Sequence, residues 1–296
     1  AGLFTRRRFP ATIAAVMPSR RLLRRAAASP LRLLLAVAVL ALAACASAPP
    51  LPPPDFLLLG EVHDNPAGHR ARLADLQRLL AGGWRPVVVM EQFDREGADD
   101  LRAALTACTD ADCVIRRAGP DGWDWPLYRP LIALALEYRL TIVGANVSRG
   151  DASRVVRGGI DAVLDAADRA AFGLPQSITP ALREAQTADI EAGHCGKVPP
   201  KIVQGIVDAQ IVRDIWMAKV MLANAGHGVV LLAGNGHVRR DFGVPYWLRL
   251  RGAQHVRAVG YTEDGSGENA SQYDDARAVP PHPRPDPCAT LQMPAK

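Results

Sequence analysis

The chain has 296 residues, 49% of them hydrophobic and 5% aromatic, with 35 basic and 30 acidic side chains for a net charge of +5. Eight arginines and no acid precede Cys45, so the rest holds 27 basic against 30 acidic residues, about −3. That balance excludes the basic footprint of a nucleic-acid-binding protein, and the apolar fraction excludes a chain too polar to bury a core.

The N-terminal segment predicts a removable leader over residues 1–44, with Met17 opening a segment of normal leader length. Arg20, Arg21, Arg24, Arg25 and Arg32 precede an apolar run from Leu33, which closes on Leu42-Ala43-Ala44-Cys45. Basic residues stay in the cytoplasm, the apolar run enters the bilayer, and small residues admit a peptidase. The run is too short for a spanning helix, which needs roughly 20 residues. The pattern is that of a bacterial lipoprotein signal and predicts a lipidated Cys45, placing the chain in the cell envelope, membrane-anchored and facing the periplasm. Pro49, Pro50, Pro52, Pro53 and Pro54 extend residues 45–54 into a stiff tether, because consecutive prolines favour polyproline II.

From Asp55 onward, short apolar runs alternate with helical stretches. Residues 56–59, 87–90, 141–145, 229–233 and 256–261 read as strands without polar alternation, as parallel strands covered on both faces do. Helical composition marks 69–81, 98–106, 127–138, 161–172, 179–192 and 201–224. Thr179-Pro180 supplies a helix start in which proline fills a first-turn position that needs no amide donor. The expected fold class is α/β over residues 55–262: a mainly parallel sheet flanked by helices, with a helical insertion at about 149–224. Residues 263–296 are rich in Gly, Ser, Asp and Pro and predict a flexible surface tail.

Export gives the cysteines a structural meaning. Cys108 and Cys113 are close enough in sequence to close a small disulfide loop, and a zinc site there lacks further ligands nearby. Cys195 and Cys288 form a possible second pair, which sequence alone leaves open.

In a parallel sheet the carboxyl ends of the strands share one edge, where ligands bind. The strands run into Glu61 and His63, into Glu91, into Asn146, and into His237, so four segments deliver polar groups to that edge. His63, Glu91 and His237 can hold a divalent metal, or with Glu61 form a catalytic acid-base crevice. His69, at a helix start, reads as a helix-terminus residue, and His194 and Cys195 as structural. Gln210, Arg213 and Asp214 share one side of a helix, either in a buried network or as anchors for an anion. Trp123, Trp125, Tyr128 and Arg129 cluster within seven residues, which suits a flat apolar cofactor, with a tyrosine oxygen for ferric iron and an arginine for a carboxylate.

Several motifs resemble, in order, those of the ChaN-type haem-binding uptake lipoproteins of the Tiki superfamily. They are Gly60-Glu61-Val62-His63-Asp64-Asn65 with Gly68-His69, Val89-Met90-Glu91-Gln92-Phe93, Asp124-Trp125-Pro126 with Tyr128, Ala145-Asn146, Gly193-His194-Cys195-Gly196, Ala209-Gln210 with Arg213-Asp214, and Gly234-Asn235-Gly236-His237-Val238. The resemblance implies haem binding linked to iron uptake, a tyrosine ligand to iron, and a homodimer with two haems stacked between subunits. Tyr128 is its first candidate for that ligand, ahead of Tyr138, Tyr246, Tyr261 and Tyr273, and which outer-membrane haem receptor or transporter is the uptake partner stays open. The same superfamily contains metalloproteases and is similar to the erythromycin esterases, which implies the alternative of an envelope hydrolase using Glu61, His63, Glu91 and His237.

Overall fold

The computed structural model describes residues 54–266 and 269–290. The leader, Cys45 and most of the proline tether lie outside these residues. Six strands form one sheet: β1 (Phe56–Leu59), β2 (Val87–Asp94), β3 (Ile142–Asn146), β4 (Val229–Leu232), β5 (Val256–Glu263) and β6 (Asp275–Val279). Their order is β3-β2-β4-β1-β5-β6, and every pairing is parallel. This is the α/β architecture that the alternating pattern predicts.

Alternation along the strands decides which side chain enters which core. Phe56, Leu58, Val89, Val229 and Leu231 point to one face, while Leu57, Leu59, Val88, Met90, Val230 and Leu232 point to the other. Both faces are covered, so β1 and β4 are apolar at every position. The second face is closed by α1 (Pro66–Ala81), α2 (Ala98–Ala107), α3 (Ala111–Ala118) and α4 (Trp125–Glu137). The first is closed by α5 (Arg149–Gly158), α7 (Pro180–Gly193), α8 (Pro200–Ala223) and α9 (Val244–Leu250), with Leu164 and Phe172 packing in from either end of the short α6 (Ala166–Ala171).

The insertion between β3 and β4 thus carries α5 to α8 and no strand. Thr179 caps α7 by accepting from the Leu182 amide, with Pro180 in the first turn. Among the described residues no helix is long and apolar enough to cross a membrane.

The C-terminal region departs from the expected flexible tail. Asp275–Val279 pairs with β5 as an edge strand, and the chain beyond it is tied down at two places. Arg284 reaches both Asp64 and Glu263 at 2.6–2.8 Å, and Cys288 forms a disulfide with Cys195. A second disulfide, Cys108–Cys113, joins the end of α2 to the first turn of α3. Edge position explains why β6 escapes a pattern search, since its middle residues are exposed and need no apolar side chains.

Leu231 is wholly buried in the central layer. Leu231→Ala is expected to destabilise the protein by about 2–5 kcal/mol through lost burial and a residual cavity, read as a lower midpoint in urea unfolding.

Candidate functional site

The strand ends meet at one edge of the sheet. Glu61 follows β1, Glu91 lies within β2, Asn146 ends β3, and Gly234 to His237 follow β4. Close approach excludes a side chain at Gly60 and leaves little room for one at Gly234. A Cβ at Gly60 would fall 2.2 Å from Asn235 Oδ1, and one at Gly234 would lie 3.1 Å from His63 Nε2 and 3.7 Å from Glu91 Oε2. The glycines therefore let two loops and two side chains converge.

Glu61 has no exposed side-chain surface and is surrounded by donors. Tyr128 donates its hydroxyl to Glu61 Oε1 at 2.6 Å, the His63 Nδ1 donates to the same oxygen at 2.7 Å, and Arg72, itself fully buried, pairs with Oε2. Burial pushes the carboxyl up, but Arg72 first and then His63 and His69 outweigh it and hold Glu61 at about 2. Arg72 Nη2 donates to His69 Nδ1 at 3.1 Å, so His69 Nε2 carries the hydrogen and donates to the His63 carbonyl at 2.9 Å. Burial pushes the Tyr128 phenol above its ordinary value, and the Glu61 charge adds to this, so the group stays protonated.

Glu91 anchors a second buried chain. One oxygen accepts from the Gly234 amide at 2.8 Å, and the other lies 3.5 Å from His237 Nε2. His237 Nδ1 donates to Asp214 Oδ1 at 2.6 Å. Burial alone would pull the imidazolium down, but Glu91 and Asp214 on its two sides push it up to about 10. Burial pushes Asp214 up to about 6 against the opposing charge of His237. Near neutral pH the cation is therefore held between two carboxylates. His63, half-exposed on the cleft wall, is lowered by burial but raised overall by Glu61 and Glu91.

His63, Glu91, Tyr128 and His237 border a cleft of about 1040 Å3, with Trp123, Arg149, His194, Gln210 and Arg213 also on its walls. A neighbouring hollow of about 500 Å3 shares His63, His194, Gln210 and His237. Trp123 stands edge-on to the His63 ring at 5.1 Å, and Arg213 donates to Asn146 Oδ1 at 2.8 Å.

The structure brings Glu61, His63, Glu91, His237, Tyr128 and Arg213 together and leaves Arg129 outside. Arg129 is exposed and makes a two-pronged pair with Asp112 at 2.7 Å, because consecutive helix residues point about 100° apart and Tyr128 takes the inward position. Tyr128 also differs from its expected role: its hydroxyl is a donor to a buried carboxylate rather than an oxygen open to iron. The metal reading of His63, Glu91 and His237 meets an ion-paired network instead. Among the described residues no group of three or more His, Cys, Asp or Glu is arranged to hold a metal ion.

Three groups escape the sequence reading as site residues: Arg149 and His194 on the cleft wall, and Arg72 buried behind Glu61. A signal for Arg72 is its helical spacing, three residues from His69 and four before Leu76, on the buried face of α1.

A parallel sheet with helices on both faces and a polar cleft at its carboxyl edge defines an α/β ligand-binding protein. Within that class the chain belongs to the haem-binding uptake family ChaN of the Tiki superfamily, whose model matches residues 50–248. A similar solved structure is that of ChaN from Campylobacter jejuni with cofacial haem bound. It is 20% identical, with a TM-score of 0.61 over 75% of this chain and 86% of that one, and it shows the shared fold. A mutant of the erythromycin esterase EreC in its open conformation is 16% identical, with a TM-score of 0.43 over 72% of this chain and 71% of that one. No curated protein matches the chain.

Glu61→Gln leaves Arg72 buried without its counter-charge, which is expected to cost about 3–5 kcal/mol at neutral pH. Because the native carboxyl sits at about 2 against an ordinary 4.5, the wild-type advantage is complete above pH 4.5 and is lost as pH falls toward 2. Urea unfolding of both proteins between pH 7 and pH 3 reads the predicted convergence.

Proposed function

We propose that this chain is a lipid-anchored, periplasm-facing haem-binding protein of the bacterial cell envelope that stores or passes haem during iron uptake. The observation that carries the proposal is the coincidence of family membership with an open cleft whose groups suit haem. Its volume, about 1040 Å3, is at the upper end of ordinary ligand sites. Trp123 offers a flat apolar wall, and Arg149 and Arg213 offer cations for the two propionates.

The cleft walls also carry acids, of which Asp121 and Asp124 lie on the Trp123 side. Asp64 is already paired with Arg284, and Asp94 faces Arg213 and Arg149. Gln210 Oε1 is buried without a hydrogen-bond partner on the cleft side of α8, an acceptor that a bound group can satisfy. Haem supplies the iron, while the chain binds the propionates, orients the ring and limits water on one face. In this reading a second copy covers the open mouth, giving a homodimer with facing haems, and an outer-membrane receptor or transporter is the exchange partner.

Haemin titration followed by its visible spectrum tests the reading. Arg149→Ala combined with Arg213→Ala is expected to weaken binding by about tenfold or more, the equivalent of one charged hydrogen bond lost. Equal affinity of variant and wild type would reject the propionate assignment.

A second reading, an envelope hydrolase, is favoured by the Glu61–His63 pair. Glu61 holds the imidazole through Nδ1 while half of the ring faces the cleft, the arrangement that prepares a histidine as general base. Chromogenic esters and peptides test it. Turnover that drops by about 100-fold or more in His63→Ala supports hydrolysis, and absence of turnover in the wild type rejects it.

A further inference from the structure

We infer that residues 280–288 form a thiol-sensitive strap: the Cys195–Cys288 disulfide holds the end of α7 to the loop after β1, and its reduction lets these two walls part and release what the cleft holds. The release rests on the haem-binding reading. The strap leaves β6 and is tied first to the β1 side. Asn65 Nδ2 donates to the Pro280 carbonyl at 2.9 Å, the His282 amide donates to Glu263 at 2.9 Å, and Arg284 donates to both Asp64 and Glu263 at 2.6–2.8 Å. A few residues later Cys288 is bonded to Cys195, just beyond Gly193 at the end of α7.

Both anchors stand beside cavity walls. Asp64, directly after His63, lines the main cleft, and His194, directly before Cys195, lines both the cleft and the neighbouring hollow. That hollow is lined by Glu61, Val62 and His63 from the β1 side and by Ile190, Gly193 and His194 from α7 and its end. An extended chain covers at most about 3.6 Å per residue, so the step from Arg284 to Cys288 spans no more than about 14 Å and keeps the two walls within that reach.

Of the strap's ties, the disulfide is the one that decides. Arg284 is partly exposed, and ion pairs open to water contribute little and are screened by salt, whereas the disulfide closes a loop across 93 residues. Cys195 and Cys288 are both partly exposed, while Cys108 in the other disulfide is buried. Lys197 donates to the Cys288 carbonyl and sets a cation beside the pair, which favours the thiolate that leaves. In the step itself a dithiol reductant supplies two electrons and two protons, its own sulfurs joining as the Cys195–Cys288 bond becomes two thiols. With the strap intact the walls are held in place before the ligand arrives, and a preformed site gives up less entropy on binding. With the strap reduced the ligand must order the walls itself, so affinity falls.

The test is hydrogen exchange and haemin titration on the full chain in detergent, for the wild type, for Cys195→Ser with Cys288→Ser, and for Cys108→Ser with Cys113→Ser. When dithiothreitol is added to the wild type, residues 61–65 and 190–197 are expected to exchange about tenfold faster or more while β1 to β4 keep their protection. The protein with Cys195→Ser and Cys288→Ser is expected to show that faster exchange without reductant, and the one with Cys108→Ser and Cys113→Ser to respond as the wild type does. Haemin, titrated without reductant, is expected to bind the protein with Cys195→Ser and Cys288→Ser at least about fivefold more weakly than the wild type. Faster exchange confined to residues 280–290 overturns the inference, and so does equal affinity of the two proteins for haemin, with haem binding itself left standing. A wild type that takes up no haemin removes the haem-binding reading and the release step together, whatever the exchange shows.

Discussion

Burying the Glu61 carboxylate would cost several kcal/mol if it stood alone, and much of the cleft is arranged to offset that cost. Arg72 supplies the counter-charge from α1, Tyr128 a hydroxyl from α4, and His63 a ring nitrogen from the loop after β1. The loop after β1, the helix that follows it and the distant α4 are therefore fixed against one side chain. Removing any of these donors leaves charge or hydrogen-bonding capacity unpaired in a water-poor interior.

A second constraint comes from the helices inserted between β3 and β4. Their long member, α8, turns Ile211, Val212 and Ile215 into one core while Asp214 reaches His237 and Arg213 reaches Asn146. The same helix thus completes the hydrophobic layer and delivers the polar groups that finish the cleft. Its mixed surface is the reason for the polar interruptions in an otherwise apolar run.

The two buried chains, Tyr128–Glu61–His63 and Glu91–His237–Asp214, lie close to each other where His63 approaches Gly234 and Glu91. Such a network keeps an imidazolium and its carboxylates ionised in a site of low dielectric, and it orients the half-exposed His63 ring toward the cleft. It gives the cleft a polar floor whose groups are held by one another. The arginines, Trp123 and His194 stand on the walls above that floor, Trp123 from the α3–α4 connection and the others from the insertion.

The sequence by itself determined the strands β1 to β5, their burial on both faces and the convergence of Glu61, Glu91, Asn146 and His237 at one edge. Unbroken branched apolar runs have few stable solutions other than a covered parallel sheet, and the residue after each run must emerge at its carboxyl end. The family motifs were legible for the same reason, since they sit at those strand ends. Side-chain partnerships were decided only by the tertiary structure. Arg129 and Tyr128 are adjacent in the chain, yet one reaches solvent and the other Glu61, and only the packing of α4 sets which. The pairing of Cys195 with Cys288 and the place of β6 at the sheet edge likewise depend on contacts between distant segments. Local periodicity fixes which face a residue occupies, but it carries no record of what stands opposite that face after the chain has folded.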